Sequence, residues 1–252
     1  MRIVQTGGIF IKFSPKQVNI FVDGKLSKKT DFFAGSALIS RLQPKKYSVS
    51  VRKEEYFPWE KTLDVKEKEV TEAKSVILFP RAPNFTTSSQ IVEFATSSPA
   101  TQTIAVSGFT IKKENGGLYL LNKETNLFEE FFEPVKDFKV SPDSQKIVYS
   151  SESEIWVLFV ENNDQAPQRK AGEKIFLTRF SEKIGDIFWL NSDYLIFNTG
   201  NRIKISEIDN RDRLNIYDLG EFENPKILWN QNEKKLYVLS QKNLFISQNL
   251  LP

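Results

Sequence analysis

Phe138-Lys139-Val140-Ser141-Pro142-Asp143, Ile187-Phe188-Trp189-Leu190-Asn191 and Ile227-Leu228-Trp229-Asn230-Gln231 are three copies of one pattern: a short apolar and aromatic run that ends in turn-forming residues. They begin at positions 138, 187 and 227, that is 49 and 40 residues apart. A second apolar run follows each, at 147–149, 195–197 and 236–238. A third begins eight residues after the start of the second in every copy, at Ile155, Ile203 and Leu244. Equal offsets in three copies mark a structural repeat.

A period near 40 with several short strands per unit is the pattern of propeller blades, four-stranded sheets that bury their faces only against their neighbours. A weaker copy precedes the three, at 103–106, with Gly116-Gly117 and 118–121 closing it. About four blades are therefore expected, the bottom of the usual range, so the ring is either small and closed or open and completed by a partner chain. Ahead of the repeats, residues 9–13, 18–22, 47–51 and 74–79 are strand-like, and Asp23-Gly24 is a hairpin turn signal because glycine tolerates positive φ. This front half reads as a β-meander. Pro80, Pro83 and the run Thr86-Thr87-Ser88-Ser89 interrupt the strand pattern. The expected organisation is all-β: a small β-sandwich over 7–80, a linker over 81–90 and propeller-type four-stranded repeats over 91–252.

The 252 residues include no Cys and no His. That excludes thiol nucleophiles, disulfides, His- or Cys-based zinc, haem and iron–sulfur ligation, and every Ser-His triad. Only carboxylate, Lys or Tyr chemistry is left. Residues 1–80 carry 15 Lys and Arg against 9 Asp and Glu, and the remainder 20 against 23, so the front is +6 and the back −3. A basic front suits anionic lipid, cell-wall polymer or nucleic acid, but its lysines are scattered along strands as on an ordinary solvated face. Gly7-Gly8 stands where a signal peptide would need an apolar run, and no stretch approaches the roughly 18–20 apolar residues of a membrane span.

Ser14-Pro15, Val18, residues 20–24, Leu42, Tyr47, Val49, Val51 and residues 56–59 together resemble the PEGA domain. That resemblance implies a small sandwich of the pre-albumin type, common on bacterial and archaeal surfaces. Lys16-Gln17-Val18 stands where the family's Gly-Ala would follow the proline, and Thr30-Asp31 replaces its usual Thr-Pro. Val140-Ser141-Pro142-Asp143-Ser144 is similar to the Trp-Ser-Pro-Asp-Gly unit of TolB-like, WD40-like propeller blades; Trp189 and Trp229 keep the aromatic position without Ser-Pro. Both resemblances imply a protein displayed outside the cytoplasm, membrane-tethered by an upstream segment absent from this chain, with a cytoplasmic setting as the alternative.

The function expected on these grounds is that of a non-enzymatic interaction or scaffold module, its partner a protein or a cell-envelope polymer. The alternatives are a cell-wall or glycan-binding module and, third, a carboxylate-dependent hydrolase drawing on Asp186, Asp193, Asp209, Asp212 and Asp218. No cofactor, metal or catalytic residue is expected, and an acidic blade region argues against nucleic acid. Candidates for a binding surface are Trp59 beside Pro58, Lys112 and Lys113 at what reads as a long hairpin tip, and Trp189 and Trp229 as stacking platforms. The plainer reading of the last two is blade-on-blade packing, and of Trp59 the sandwich core or its edge.

Overall fold

A computed structural model describes residues 5–89, 92–94 and 99–251. The front module has seven strands: β1 (Gly7–Ser14), β2 (Asn19–Val22), β3 (Lys25–Lys29), β4 (Ser36–Leu42), β5 (Lys45–Arg52), β6 (Trp59–Val65) and β7 (Val70–Ile77). They form two sheets, ordered β4-β1-β7 and β3-β2-β5-β6. The small sandwich expected over 7–80 is present, but its strand order is not that of the expected meander. In β1 the inward residues Ile9, Ile11 and Phe13 are all buried, and the strand is central, antiparallel to β4 and parallel to β7. A meander would have left so apolar a strand at an edge. Asp23 and Gly24, at φ 48° and 73°, make the two-residue turn that joins β2 to β3. Ile9, Ile11, Ile20, Val49, Val51, Trp59 and Leu63 belong to one core between the sheets.

Four antiparallel sheets follow. Phe85–Ser88 is β8. Blade I contains β9 (Gln102–Val106), β10 (Phe109–Glu114), β11 (Gly117–Asn122) and β12 (Leu127–Phe132). Blade II contains β13 (Asp137–Val140), β14 (Lys146–Ser150), β15 (Glu154–Phe159) and β16 (Lys174–Arg179); blade III contains β17 (Ile184–Trp189), β18 (Tyr194–Thr199), β19 (Arg202–Glu207) and β20 (Ile216–Glu221). Blade IV has β21 (Lys226–Asn230), β22 (Lys235–Ser240) and β23 (Asn243–Ser247), and its fourth strand is β8. The supposed linker 81–90 therefore contributes a strand. Phe85 pairs with Ser247 and Ser88 with Leu244, which occupies backbone groups that β23 would otherwise leave open. Phe85 also sets its ring edge-on to Phe222, 5.0 Å between centroids.

The repeat seen in the sequence is a repeat of turn chemistry as well as of strands. Between the first two strands of blade II, Asp143 Oδ1 accepts from Gln145 N at 3.1 Å. In blade III Asn191 Oδ1 accepts from Asp193 N and Tyr194 N, both at 2.8 Å, and in blade IV Asn230 Oδ1 accepts from Asn232 N and Glu233 N, both at 3.1 Å. Asn thus caps the turn that Ser-Pro-Asp caps in blade II. One core joins blades I and II through Ile111, Leu118, Phe138 and Tyr149. A second joins II and III through Val157, Ile187, Leu195 and Phe197, and a third joins III and IV through Ile196, Ile203, Ile227 and Val238.

Candidate functional site

In β6, Trp59, Leu63 and Val65 point into the sandwich core by strict alternation, and Lys61 shares their parity. A lysine on that face needs a partner. The side chain of Lys61 is 0% exposed, and its Nζ lies 2.5 Å from Oε1 of Glu207, itself 4% exposed, at the end of β19 in blade III. The other two ammonium hydrogens go to the carbonyls of Asp209 and Arg213, each at 2.7 Å. Glu207 is filled equally well: Oε2 accepts from Trp59 Nε1 at 2.9 Å, and Oε1 from Asn215 N at 2.9 Å and Asn215 Nδ2 at 2.7 Å. Burial pushes the Glu207 carboxyl up from the ordinary range while the Lys61 ammonium pulls it back.

Around this pair the loop 208–215 lies along β6, the edge strand of its sheet. Asn215 exchanges hydrogen bonds with the Glu60 backbone, and Thr62 N donates to Asp212 Oδ2 at 3.0 Å. Tyr194 OH donates to Ser75 O at 2.9 Å and accepts from Ile77 N at 3.1 Å, and burial raises its phenol well above the usual value. Tyr217 donates to Pro58 O at 2.8 Å and stacks on Phe57 at 4.9 Å. An edge covered in this way joins sandwich and blade III into one body.

Next to the junction a cleft of about 160 Å³ opens between the sandwich and blades II and III. Asp143, Lys146, Asp193, Asp209 and Arg211 line it. Its charges already have partners: Lys146 with Asp143 at 2.8 Å, Arg211 with Asp209 at 2.6 Å, and Asp193 accepting from Ser75 Oγ at 2.7 Å. The remaining members of the aspartate pool are engaged elsewhere. Asp186 accepts from Ile227 N, Asp212 from Thr62 N, and Asp218 pairs with Lys204 and Arg202. The cleft is thus a polar concavity whose carboxylates brace the fold. Among the described residues no three metal-ligating side chains come together as a metal site.

The five surface candidates do not converge. Trp59 is buried at the junction; Trp189 is buried between blades II and III and donates to Lys139 O at 2.9 Å; Trp229 is buried between III and IV. Lys112 and Lys113 lie in β10, so the supposed long hairpin tip shrinks to Asn115-Gly116, at φ 51° and 84°. Lys113 faces inward and donates to Lys136 O at 2.8 Å, and burial lowers its ammonium from the usual value. Lys112 faces outward, paired with Glu114 at 2.7 Å and 5.7 Å from the Phe128 ring. The residues that sequence reasoning passed over are Lys61 and Glu207; the parity of Lys61 among Trp59, Leu63 and Val65 was the available signal.

Sheet order and blade packing define an all-β protein with propeller-type blades behind a sandwich with one mixed sheet. No protein-family profile matches the chain, and no curated protein matches it. Solved structures similar to it include the β-propeller domain of Cps50 (Swd1) from Myceliophteria thermophila, at 10% identity over 81% of this chain and 67% of that one, TM-score 0.42. Hsv2 from Kluyveromyces lactis is similar at 12% identity over 96% of this chain and 74% of that one, TM-score 0.40. The extracellular domain of a putative one component system from B. thetaiotaomicron is similar at 11% identity over 81% of this chain, TM-score 0.44, and the chain spans 26% of its length.

Proposed function

We propose that this chain is a non-enzymatic scaffold whose blade array is completed by a second copy of itself. What supports this reading is that no core cluster of the described residues contains side chains from both blade I and blade IV. The outward face of blade IV carries Leu228, Leu239 and Ile246, half-buried, with Lys226 and Lys235 on the same parity. That of blade I carries Leu121 and Phe128 with Glu130 and with Glu114, the latter paired with Lys112 on the same face. Glu130 on the one end face is opposite in charge to Lys226 and Lys235 on the other, and each face has apolar residues to cover. Two four-blade arrays joined end to end about a two-fold axis give eight blades, within the roughly four to eight of closed propellers. The pairing of the aspartates supports a scaffold over a hydrolase, and the burial of three tryptophans leaves the cleft as the place a sugar would have to use. The extracytoplasmic setting belongs to the proposal; recovery of the native protein among cytosolic proteins counts against it.

Light scattering on the purified chain tests the assembly. The expected mass is twice 29.1 kDa. Glu130→Lys and Lys235→Glu are each expected to weaken the dimer, and the two together to restore it. A wild-type chain that stays at 29.1 kDa as concentration rises overturns self-completion.

A further inference from the structure

The turn between β3 and β4 presents two phenylalanines to water. Phe32 is 65% and Phe33 84% exposed, their rings edge to face at 5.9 Å. The turn is built to hold them out. Asp31 Oδ1 accepts from Phe33 N and Ala34 N, both at 2.9 Å, and these two bonds lower its carboxyl from the usual value. On one side Thr30 N donates to Val18 O and Thr30 Oγ1 accepts from Val18 N; on the other Phe13 N donates to Gly35 O, each at 2.9 Å. Both ends are therefore fastened to core residues of the sandwich.

Cations surround the pair. Lys16 Nζ stands 5.9 Å from the Phe32 ring, and Lys28 and Lys29 lead into the turn from an edge strand exposed along its whole length. Lys12 is exposed on β1, opposite Ser36 at the far end of the turn. Leu26 adds a further exposed apolar side chain on β3.

We infer that this turn is a lipid-contacting tip, docking the sandwich on an anionic bilayer surface. Aromatic side chains gain by entering the boundary between headgroups and acyl chains, and lysines gain beside anionic headgroups. A protein groove accepts a Phe pair without needing cations around it, whereas an anionic bilayer uses both features together. The tip joins β3 and β4, the sheet edges opposite β6 and β7 that meet blade III, and shares no residue with the outward faces of blades I and IV, so the inference does not rest on dimerisation.

Flotation of the full chain with phosphatidylcholine vesicles, with and without phosphatidylglycerol, tests it. Binding is expected to require phosphatidylglycerol and to weaken as salt rises. The Phe32→Ala/Phe33→Ala chain is expected to bind at least about tenfold more weakly, and the Lys28→Glu/Lys29→Glu chain to lose the salt-sensitive part. These changes touch exposed side chains, and an unchanged thermal midpoint checks that the fold persists. No binding by the wild type overturns the inference. So does binding that the phenylalanine variant retains in full, which would be plain electrostatic adsorption. A wild type that ignores vesicles but loses its self-association with the phenylalanine change would assign the tip to a protein contact instead.

Discussion

Blades III and I share one four-stranded plan and differ in what covers them. In blade III every residue of the second strand β18 is buried; in blade I only Ile111 and Lys113 of the second strand β10 are. Leu195 and Phe197 of β18 pack toward blade II, while Tyr194 and Ile196 meet blade IV and Phe79 from the end of the sandwich. Leu118 of β11 reaches blade II, but Tyr119 and Leu121 look outward, and Leu127 and Phe128 on the neighbouring strand are 65% and 40% exposed. A blade does not bury itself. Its stability comes from the faces laid against it, as expected for stacked units.

The largest effect should come from breaking the brace beside blade III. Lys61→Met leaves Glu207 buried without its cation and should cost about 3–5 kcal/mol in urea denaturation, while adding Glu207→Leu should return most of that loss. A single change worth less than about 1 kcal/mol would show that the pair is replaceable. Next, Ile196→Ala in blade III should cost about 2–5 kcal/mol, whereas Leu121→Ala in blade I should cost under about 1 kcal/mol; equal costs would erase the contrast between the blades. Native hydrogen exchange should sharpen the same contrast, with amides of β11 and β12 opening before those of β18 and β19. The smallest effect concerns acid. Hydrogen bonds from the side chain and backbone of Thr62 hold the Asp212 carboxyl below its ordinary value. Its contribution is present above the unfolded value of about 3.9 and is lost as pH falls through the lower folded one. Asp212→Asn should therefore flatten the acid limb of the stability curve slightly, and a variant as acid-sensitive as the parent would remove that link.

The parts of this architecture written in local residue patterns were legible from the sequence. The aromatic strand ends at Trp189 and Trp229, the second and third runs eight residues apart and the Asp23-Gly24 turn needed no knowledge of distant neighbours. The parts that depend on remote partners were not. Residues 85–88 read as linker because two prolines and a Thr-Ser run hide a strand that exists only through its pairing with β23. Lys61 stood visibly on a buried parity, but nothing in the sequence points to a partner 146 residues away. The mixed sheet was hidden for the same reason, since β1 and β7 meet in parallel from opposite ends of the module. The tryptophans were legible in their plainer reading: Trp189 and Trp229 pack blade on blade and Trp59 lies in the sandwich core, and the stacking-platform alternative has no exposed ring to use.

The closing of blade IV by β8 also sets a timetable for synthesis. Thr86 meets Ile246 across 160 residues of chain, so during translation Phe85–Ser88 leaves the ribosome long before its partner exists. At about 5–20 residues per second that interval is roughly ten to thirty seconds. The strands of blades II and III pair only with their sequence neighbours, so they are expected to form within that time while β8 is still an open strand edge. Its composition of one phenylalanine with two threonines and a serine suits such a wait: polar enough to stay in water, and β-forming enough to dock once β23 arrives.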